Sequence, residues 1–248
     1  KIAMICTKVS IRKMAHFSLP GPKYLFPTPH SPLTLTSRRP NRMHPPLRDI
    51  YDSFAETYEA SRGLFDMTDL LRPFFDGLGL PKGRLLDLGC GAGEPFPRFF
   101  LDRGWEVYGV DFSKKMLRLA AQYAPEMHTI CDDMLNVDFA PAHFDAITCI
   151  YSLFHVPHAR HPELFAKFHR WLRPGGQVLF TYAAKEYTGE TEFEGFREFM
   201  GQNLFYSHTS PAKLAAAIEA AGLRVQSIPL REIGGESFLW VTASKPRP

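Results

Sequence analysis

The sequence has few of the features that mark several common protein classes. Its 248 residues contain only four cysteines, and no two of them form a C-x-x-C pair: Cys6, Cys90, Cys131 and Cys149. Cysteines so scattered favour neither a zinc site nor a disulfide framework, and they indicate a reducing compartment, so we expect a cytoplasmic protein. No apolar run approaches the roughly 18 residues of a membrane-spanning helix, and we therefore expect no membrane partner.

Acidic residues are absent from the first 48 positions, which hold nine Lys and Arg residues and are rich in Pro, Ser and Thr. Such a stretch cannot bury enough apolar surface to offset the entropy lost on ordering, so we expect a disordered leader over 1–46 and one domain over 47–248. An organelle transit peptide has a similar composition, but we favour a leader that is not part of the mature protein. Residues 49–248 carry a net charge of −6, which argues against nucleic acid as the main partner.

Two common phosphate-binding patterns are also missing. Residues 87–93 read Asp-Leu-Gly-Cys-Gly-Ala-Gly, but the sixth positions counted from Gly89 and Gly91 are Glu94 and Phe96, so the dinucleotide pattern G-x-G-x-x-G is not met. No Gly-Lys-Ser/Thr triplet occurs anywhere in the chain, which excludes the phosphate-cradling G-x-x-x-x-G-K-[ST] loop.

What is present is an apolar strand, a glycine-rich turn and a helix in direct succession. Glycines in the turn can adopt backbone angles closed to other residues, and without a Cβ they allow a ligand to lie against the main chain. The helix that follows would present unpaired N–H groups to that ligand. The candidate binding residues are Asp87, Gly89, Cys90, Gly91 and Gly93. The alternative interpretation is a turn that binds nothing.

A second acidic residue ends the next strand, Glu106–Asp111. Asp111 lies 22 residues after Gly89, close to the spacing at which an acid reaches a ribose hydroxyl in a βαβ unit. A carboxylate can accept hydrogen bonds from two neighbouring hydroxyls. The alternative is that Asp111 only caps the helix that starts near Ser113.

These segments together resemble the motifs of the class I S-adenosylmethionine-dependent methyltransferases: Asp-x-Gly-x-Gly-x-Gly at 87–93, Val-Tyr-Gly-Val-Asp-Phe-Ser at 107–113 and Leu-Arg-Pro-Gly-Gly at 172–176. The resemblance covers about residues 47–244. It implies a Rossmann-like, doubly wound α/β sheet of seven strands in the order 3-2-1-4-5-7-6, with strand 7 antiparallel and helices on both faces. It also implies S-adenosylmethionine as cofactor and a small-molecule acceptor methylated on O, N or S, in a monomer or homodimer.

The resemblance assigns further residues to the cofactor. The glycines would pass its methionyl part, with Asp87 near the ammonium group and Phe112 beside the ribose and adenine. Asp133 would accept from the adenine amino group while Met134 packs on the ring, and Asp132 is the alternative acid. The helix that begins near Tyr51 resembles one that closes over the cofactor in this family. The remaining candidates are Tyr51, Tyr58, Arg62, Met116 and Tyr151, although the tyrosines could simply pack.

Two histidines are candidate general bases, because an imidazole pKa of about 6.5 suits proton transfer near neutrality. His155 follows the fourth strand, at the strand end where open α/β sheets bind ligands. His208 ends residues 183–210, which we expect to form a cap whose aromatic residues line an acceptor pocket or form the cap's own core. The His-x-x-His spacing of His155, His158 and His161 does not indicate a metal, since a proline interrupts the backbone and no Cys or carboxylate completes a ligand set.

Two other functions remain open at this stage. The Asn/Asp-Pro-Pro-Tyr/Phe box of the amino-methylating nucleic-acid enzymes is missing after the fourth strand, which reads Ile-Tyr-Ser-Leu-Phe over 150–154. An RNA methyltransferase that docks through the basic leader is nevertheless an alternative. A protein that binds S-adenosylmethionine without catalysis is the other.

Overall fold

The computed structural model describes residues 47–60, 67–199, 201–233 and 235–248. Its helices are α1 (Leu47–Ala60), α2 (Thr68–Leu78), α3 (Phe96–Leu101), α4 (Lys114–Tyr123), α5 (His161–Trp171), α6 (Lys185–Thr188) and α7 (Pro211–Ala220). Its strands are β1 (Arg84–Leu88), β2 (Glu106–Asp111), β3 (His128–Cys131), β4 (Phe144–Cys149), β5 (Leu172–Tyr182), β6 (Phe193–Phe199), β7 (Gln202–His208), β8 (Arg224–Ser227), β9 (Leu230–Ile233) and β10 (Glu236–Ser244). The proposed leader, 1–46, and Arg62 lie outside the described residues.

The central sheet confirms the predicted topology. Its strands lie in the order β3-β2-β1-β4-β5-β10-β8, with β9 paired to β10. The first five strands are mutually parallel, and β10 runs antiparallel to both β5 and β8. The predicted sixth strand, 223–230, corresponds to β8 and the start of β9, and β10 is the inserted antiparallel strand.

Helices cover both faces of this sheet, as predicted. On one face α5 and α7 bury Phe165, Phe168 and Ile218 against the strands. On the other face α2 and α3 bury Phe74 and Phe100. A fully buried Phe or Leu contributes roughly 1.5–3 kcal/mol to folding. Because both faces are covered, every residue of β4 is buried, including the polar Asp145 and Thr148.

Local sequence signals set several helix ends. Ser113 caps α4 by accepting a hydrogen bond from the Met116 N–H, at 3.1 Å. Ser210 caps α7 in the same way, and Pro211 occupies the first helical position, where its missing N–H costs nothing. Gly79 ends α2 in the left-handed conformation, with φ of 62°.

The Leu-Arg-Pro-Gly-Gly segment corrects one expectation. The sequence predicts a tight turn between helix and strand, whereas these residues already belong to β5, which starts at Leu172. The β4–β5 register shifts between Phe144 and Ala146, so the segment forms an irregular, bulged start of the strand. Arg173 donates to the buried Asp145 carboxylate at 2.9 Å, and this ion pair fixes the bulge against β4.

Residues 183–210 form the short helix α6 and a two-stranded antiparallel sheet, β6–β7. A third buried cluster joins them to α1 and to the ends of β4 and β10, and it contains Ile50, Phe154, Ala183, Leu204, Tyr206 and Phe238. We refer to residues 183–210 as the cap. In the part of the chain that the structure describes, no helix has the length and apolarity to cross a membrane.

Candidate functional site

The glycine loop between β1 and α3 is bonded to the end of β2. The Gly89 and Cys90 N–H groups both donate to the Val110 carbonyl, at 2.7 and 3.1 Å. Gly89 has φ of 76°, and a Cβ placed there would lie 2.4 Å from the Ser152 Cβ. Gly91 and Gly93 also have positive φ, of 53° and 81°. Packing within the protein therefore already requires glycine at position 89, in addition to any requirement of a ligand.

Asp111 lies between the glycine loop and the start of α4. One carboxylate oxygen accepts from the Gly91 N–H at 2.9 Å and the other from the Ser113 N–H at 2.8 Å. Burial raises the pKa of Asp111, and these two N–H groups oppose that increase. Each oxygen retains a lone pair for a further donor, which is the arrangement that two neighbouring hydroxyls of a ribose need.

Asp87 is buried at the other side of the same loop, 3% exposed. It accepts a hydrogen bond from the Thr148 hydroxyl at 2.5 Å. Burial raises its pKa to about 7, and the nearby charge of Asp111 adds to this increase. A cation placed beside Asp87 would favour its charged form, so the residue fits an ammonium group and opposes a phosphate.

In the loop after β3, the two candidate acids have different hydrogen-bond partners. Asp132 accepts from the Asp133 N–H at 2.7 Å and from the Asn136 side chain at 3.0 Å, so it caps this turn. Among the described residues, the Asp133 carboxylate accepts only from the Leu135 N–H, at 2.8 Å, and we keep it as the acid for an adenine amino group. Lys167 donates to the Leu135 carbonyl at 2.5 Å and holds the loop in place.

The three sulfur-containing candidates are all buried. Cys90 is 4% exposed, and its thiol has a raised pKa because of burial. Met116 faces the protein interior from α4, and Met134 lies in the cluster that packs on the α5–α7 face of the sheet. Contact of the Met134 side chain with an adenine ring stays a prediction.

Helix α1 is bonded to the site by two neighbouring residues. The Tyr51 ring packs edge-on against Phe112, with centroids 5.9 Å apart. The Ser113 hydroxyl donates to the Asp52 carboxylate at 2.5 Å, and the Lys115 N–H donates to the same oxygen at 3.3 Å. Asp52 was not singled out from the sequence, because an acid in an amphipathic helix usually faces water. The Tyr58 side chain lies outside the described part of the structure.

Tyr51 also forms a hydrogen-bonded pair with His155. The Tyr51 hydroxyl lies 2.8 Å from His155 Nε2, and His155 Nδ1 lies 2.6 Å from the Phe205 carbonyl oxygen of the cap. A carbonyl only accepts, so Nδ1 carries the hydrogen and Nε2 accepts from Tyr51. Burial lowers the pKa of His155 to about 4. The imidazole is therefore neutral near pH 7, with its basic nitrogen directed at the tyrosine hydroxyl.

Part of the chain matches a known protein family. Residues 85–176 match a family described as a methyltransferase domain. This segment is a methyltransferase domain of the class I S-adenosylmethionine-dependent type. S-Adenosylmethionine is the cofactor of this family, and the donor set fits it: one carboxylate suits its ammonium group, a second its ribose hydroxyls and a third its adenine amino group.

Three relatives illustrate the extent of the similarity. An uncharacterized methyltransferase of Geobacillus kaustophilus is 30% identical over 145 residues. The match covers 55% of this chain and 66% of that relative, so this chain spans just under two thirds of the relative's length. A ubiquinone biosynthesis O-methyltransferase of Azoarcus sp. is 29% identical over 66% of this chain and 75% of its own. The structure of a Burkholderia thailandensis 1,6-didemethyltoxoflavin-N1-methyltransferase superimposes with a TM-score of 0.57, at 22% identity, over 79% of this chain and 87% of its own.

The other candidate base, His208, lies inside the cap of the methyltransferase. Its ring is fully buried, with Nε2 2.8 Å from the Thr188 hydroxyl, and it packs beside Tyr182 and Phe193. His155 has a different set of partners. The two histidines therefore share no hydrogen-bond partner among the described residues, and we assign His208 to the packing of the cap.

His158 and His161 each have hydrogen-bonding partners within the protein, and only those of His158 lie in the cap. His158 Nδ1 lies 3.0 Å from the Glu194 carboxylate, and His161 Nε2 donates to the Val156 carbonyl at 2.8 Å. No group of three or more His, Cys, Asp or Glu residues could hold a metal ion within the described residues.

Asp52→Ala should weaken the binding of S-adenosylmethionine to the methyltransferase by roughly five- to thirtyfold. The substitution removes both hydrogen bonds that tie α1 to the start of α4, and hydrogen bonds to a charged group contribute about 1.5–3 kcal/mol. Calorimetric titration with S-adenosylhomocysteine measures the effect. Asp49→Ala, which removes an exposed acid of the same helix, is the control. Equal affinities of the two variants would show that α1 does not depend on Asp52.

Proposed function

We propose that this methyltransferase transfers the methyl group of S-adenosylmethionine to an O, N or S atom of a small-molecule acceptor, and that Tyr51 and His155 take up the acceptor's proton. The observation that carries the proposal is the 2.8 Å contact between the Tyr51 hydroxyl and His155 Nε2, next to the ring of Phe112. The pair thus borders the site in which Asp111 and the glycine loop would hold the cofactor.

The main task of the protein in this reaction is alignment. Bound S-adenosylmethionine would supply a methyl group that is already strongly electrophilic. Asp87, Asp111 and Asp133 would fix the cofactor at three separate groups along its length, and α1 would close over it. Orientation of this kind can supply about 7–11 kcal/mol of an activation barrier in well-arranged systems.

The pair can move one proton without changing the covalent structure of the protein. The acceptor's X–H proton passes to the Tyr51 oxygen while the Tyr51 proton passes to His155 Nε2. The Nδ1–H remains bonded to the Phe205 carbonyl, which stabilises the imidazolium that results. An acceptor that has already lost its proton would not need this step.

The small size of the acceptor is supported by the cap and by the relatives. Aromatic side chains surround His155: the ring centroids of its neighbour Phe154 and of Tyr206 in the cap lie 4.8 and 4.9 Å away. Aromatic side chains with few polar groups are typical of small-molecule sites. The Azoarcus and Burkholderia relatives are named for ubiquinone biosynthesis and for 1,6-didemethyltoxoflavin.

The test is transfer of label from methyl-labelled S-adenosylmethionine to a fractionated metabolite extract. We expect one small-molecule fraction to acquire the label with the full chain and with residues 1–43 deleted. Label in RNA that disappears with this deletion would instead support docking of RNA through the leader. Tight binding of S-adenosylhomocysteine without any labelled product would support a binding protein without catalysis.

A further inference from the structure

Thr148 is the polar neighbour of Asp87 within the central sheet. Asp87 on β1 lies beside Gly109 of β2 on one side and beside Thr148 of β4 on the other. Gly109 has no side chain, so the polar side chain next to Asp87 in the sheet is that of Thr148. This side chain is fully buried, and its hydroxyl donates to Asp87 Oδ1 at 2.5 Å.

The second carboxylate oxygen of Asp87 has no comparable partner. Within the described residues Asp87 Oδ2 accepts no hydrogen bond, although the residue as a whole is 3% exposed. A carboxylate withdrawn from water is stabilised by a cation or by hydrogen-bond donors, and otherwise it takes up a proton. The free oxygen can therefore accept from a donor that a ligand supplies, and the ammonium group of S-adenosylmethionine is such a donor.

The titratable groups around Asp87 add no positive charge in the described part of the chain. Asp111, at the end of β2, disfavours the charged form of Asp87. Burial raises the pKa of the Cys90 thiol in the glycine loop and that of Cys149 on β4, the latter to about 12, so both thiols are neutral near pH 7. Burial also raises the pKa of Asp87 to about 7, and of these neighbours only the Thr148 hydroxyl opposes that increase.

We propose that Thr148 is a positioning residue for the cofactor: its hydroxyl holds Asp87 Oδ1, so that the charged carboxylate presents Oδ2 to the ammonium group of S-adenosylmethionine. This inference rests on the assignment of Asp87 to that ammonium group and concerns the cofactor part of the proposed methyl-transfer site. A hydrogen bond donated to the charged form of a carboxylate favours that form. Thr148 therefore helps to set the pH above which the cofactor is bound tightly.

The pH dependence that follows has a definite sign. The ammonium group is attracted to the charged form of Asp87, whose pKa is about 7 before the cofactor binds. As the pH falls through 7, Asp87 takes up a proton and the affinity should fall, whereas above 7 the affinity should level off. Without the Thr148 hydroxyl the pKa of Asp87 would be higher still, so the loss of affinity would begin at a higher pH.

The experiment compares S-adenosylhomocysteine with 5′-methylthioadenosine, which retains the adenosine and the sulfur but lacks the amino-acid group. Each ligand is titrated calorimetrically into the full chain at pH 6.0 and at pH 7.5. The wild type should bind S-adenosylhomocysteine about fivefold or more tightly at pH 7.5 than at pH 6.0. Its affinity for 5′-methylthioadenosine should differ by less than about twofold between the two pH values, because this ligand has no ammonium group for Asp87.

Three variants of Thr148 then test the hydroxyl itself. Thr148→Val keeps the shape of the side chain, and at pH 7.5 it should bind S-adenosylhomocysteine about tenfold more weakly, because a hydrogen bond to a charged group is lost. Its affinity for 5′-methylthioadenosine should stay within about twofold of the wild type. Thr148→Ser keeps the hydroxyl and should retain both affinities. If thermal melting shows that Thr148→Val is unfolded, Thr148→Cys, whose S–H is a weak donor, is tested for the same selective loss.

The outcomes separate this inference from the proposed function. A purely structural role of Thr148 would weaken the binding of both ligands alike or of neither, and either result would overturn the inference. A wild-type affinity for S-adenosylhomocysteine that is the same at both pH values would also overturn it. In these cases methyl transfer still stands, because S-adenosylhomocysteine binds. If the wild type binds neither ligand, the proposed function and this inference fail together.

Discussion

His155→Gln should lower kcat by a hundredfold or more while the affinity for S-adenosylhomocysteine changes by less than threefold. The imidazole supplies an acceptor nitrogen 2.8 Å from the Tyr51 hydroxyl, and general acid–base catalysis contributes about 10²- to 10⁴-fold. Glutamine can still donate to the Phe205 carbonyl, so the cap should keep its position. Single-turnover measurements with the acceptor found by the labelling screen give kcat, and calorimetry gives the affinity.

Two further measurements distinguish proton transfer from packing. Tyr51→Phe keeps the ring against Phe112 but removes the hydroxyl, so it should lower kcat to a similar extent, and the double variant should be no slower than the slower single variant. Because burial lowers the pKa of His155 to about 4, the wild type should keep its kcat as the pH falls below 6.5, the usual imidazole pKa. An unchanged kcat in His155→Gln would assign the residue to packing.

Asp111→Ala should weaken the binding of S-adenosylmethionine by a hundredfold or more. The substitution removes the carboxylate proposed to hold the ribose and leaves the Gly91 and Ser113 N–H groups without the acceptors they have at 2.9 and 2.8 Å. Hydrogen bonds to a charged group contribute about 1.5–3 kcal/mol each, and an unsatisfied buried donor costs about 1–3 kcal/mol more. Calorimetric titration with S-adenosylhomocysteine measures this loss.

Asp133→Ala provides the comparison for that experiment. Asp133 would hold a single amino group of the cofactor. Within the turn, its carboxylate accepts a hydrogen bond from the Leu135 N–H. We expect a loss of about tenfold, and thermal melting of both unliganded variants reports on their folding. A larger effect at Asp133 than at Asp111 would overturn the assignment of Asp111 to the ribose.

Local patterns were sufficient for much of the fold. Ser210 followed by Pro211 marks the start of α7 at the residue where it occurs. The Leu-Arg-Pro-Gly-Gly segment shows the limit of such patterns. Its residues are typical of a turn, but pairing with β4 and the Arg173–Asp145 ion pair incorporate them into β5.

By itself, the sequence determined the glycine loop and the acid at the end of β2, because turn residues and short motif spacings depend on neighbours along the chain. The order of the central sheet was implied by the resemblance to a known family. Only the tertiary structure decided which side chains meet. Tyr51 and His155 are 104 residues apart, and Asp52 and Ser113 are 61 apart. Such contacts depend on how α1 and the cap pack on the sheet, and no local pattern encodes that packing.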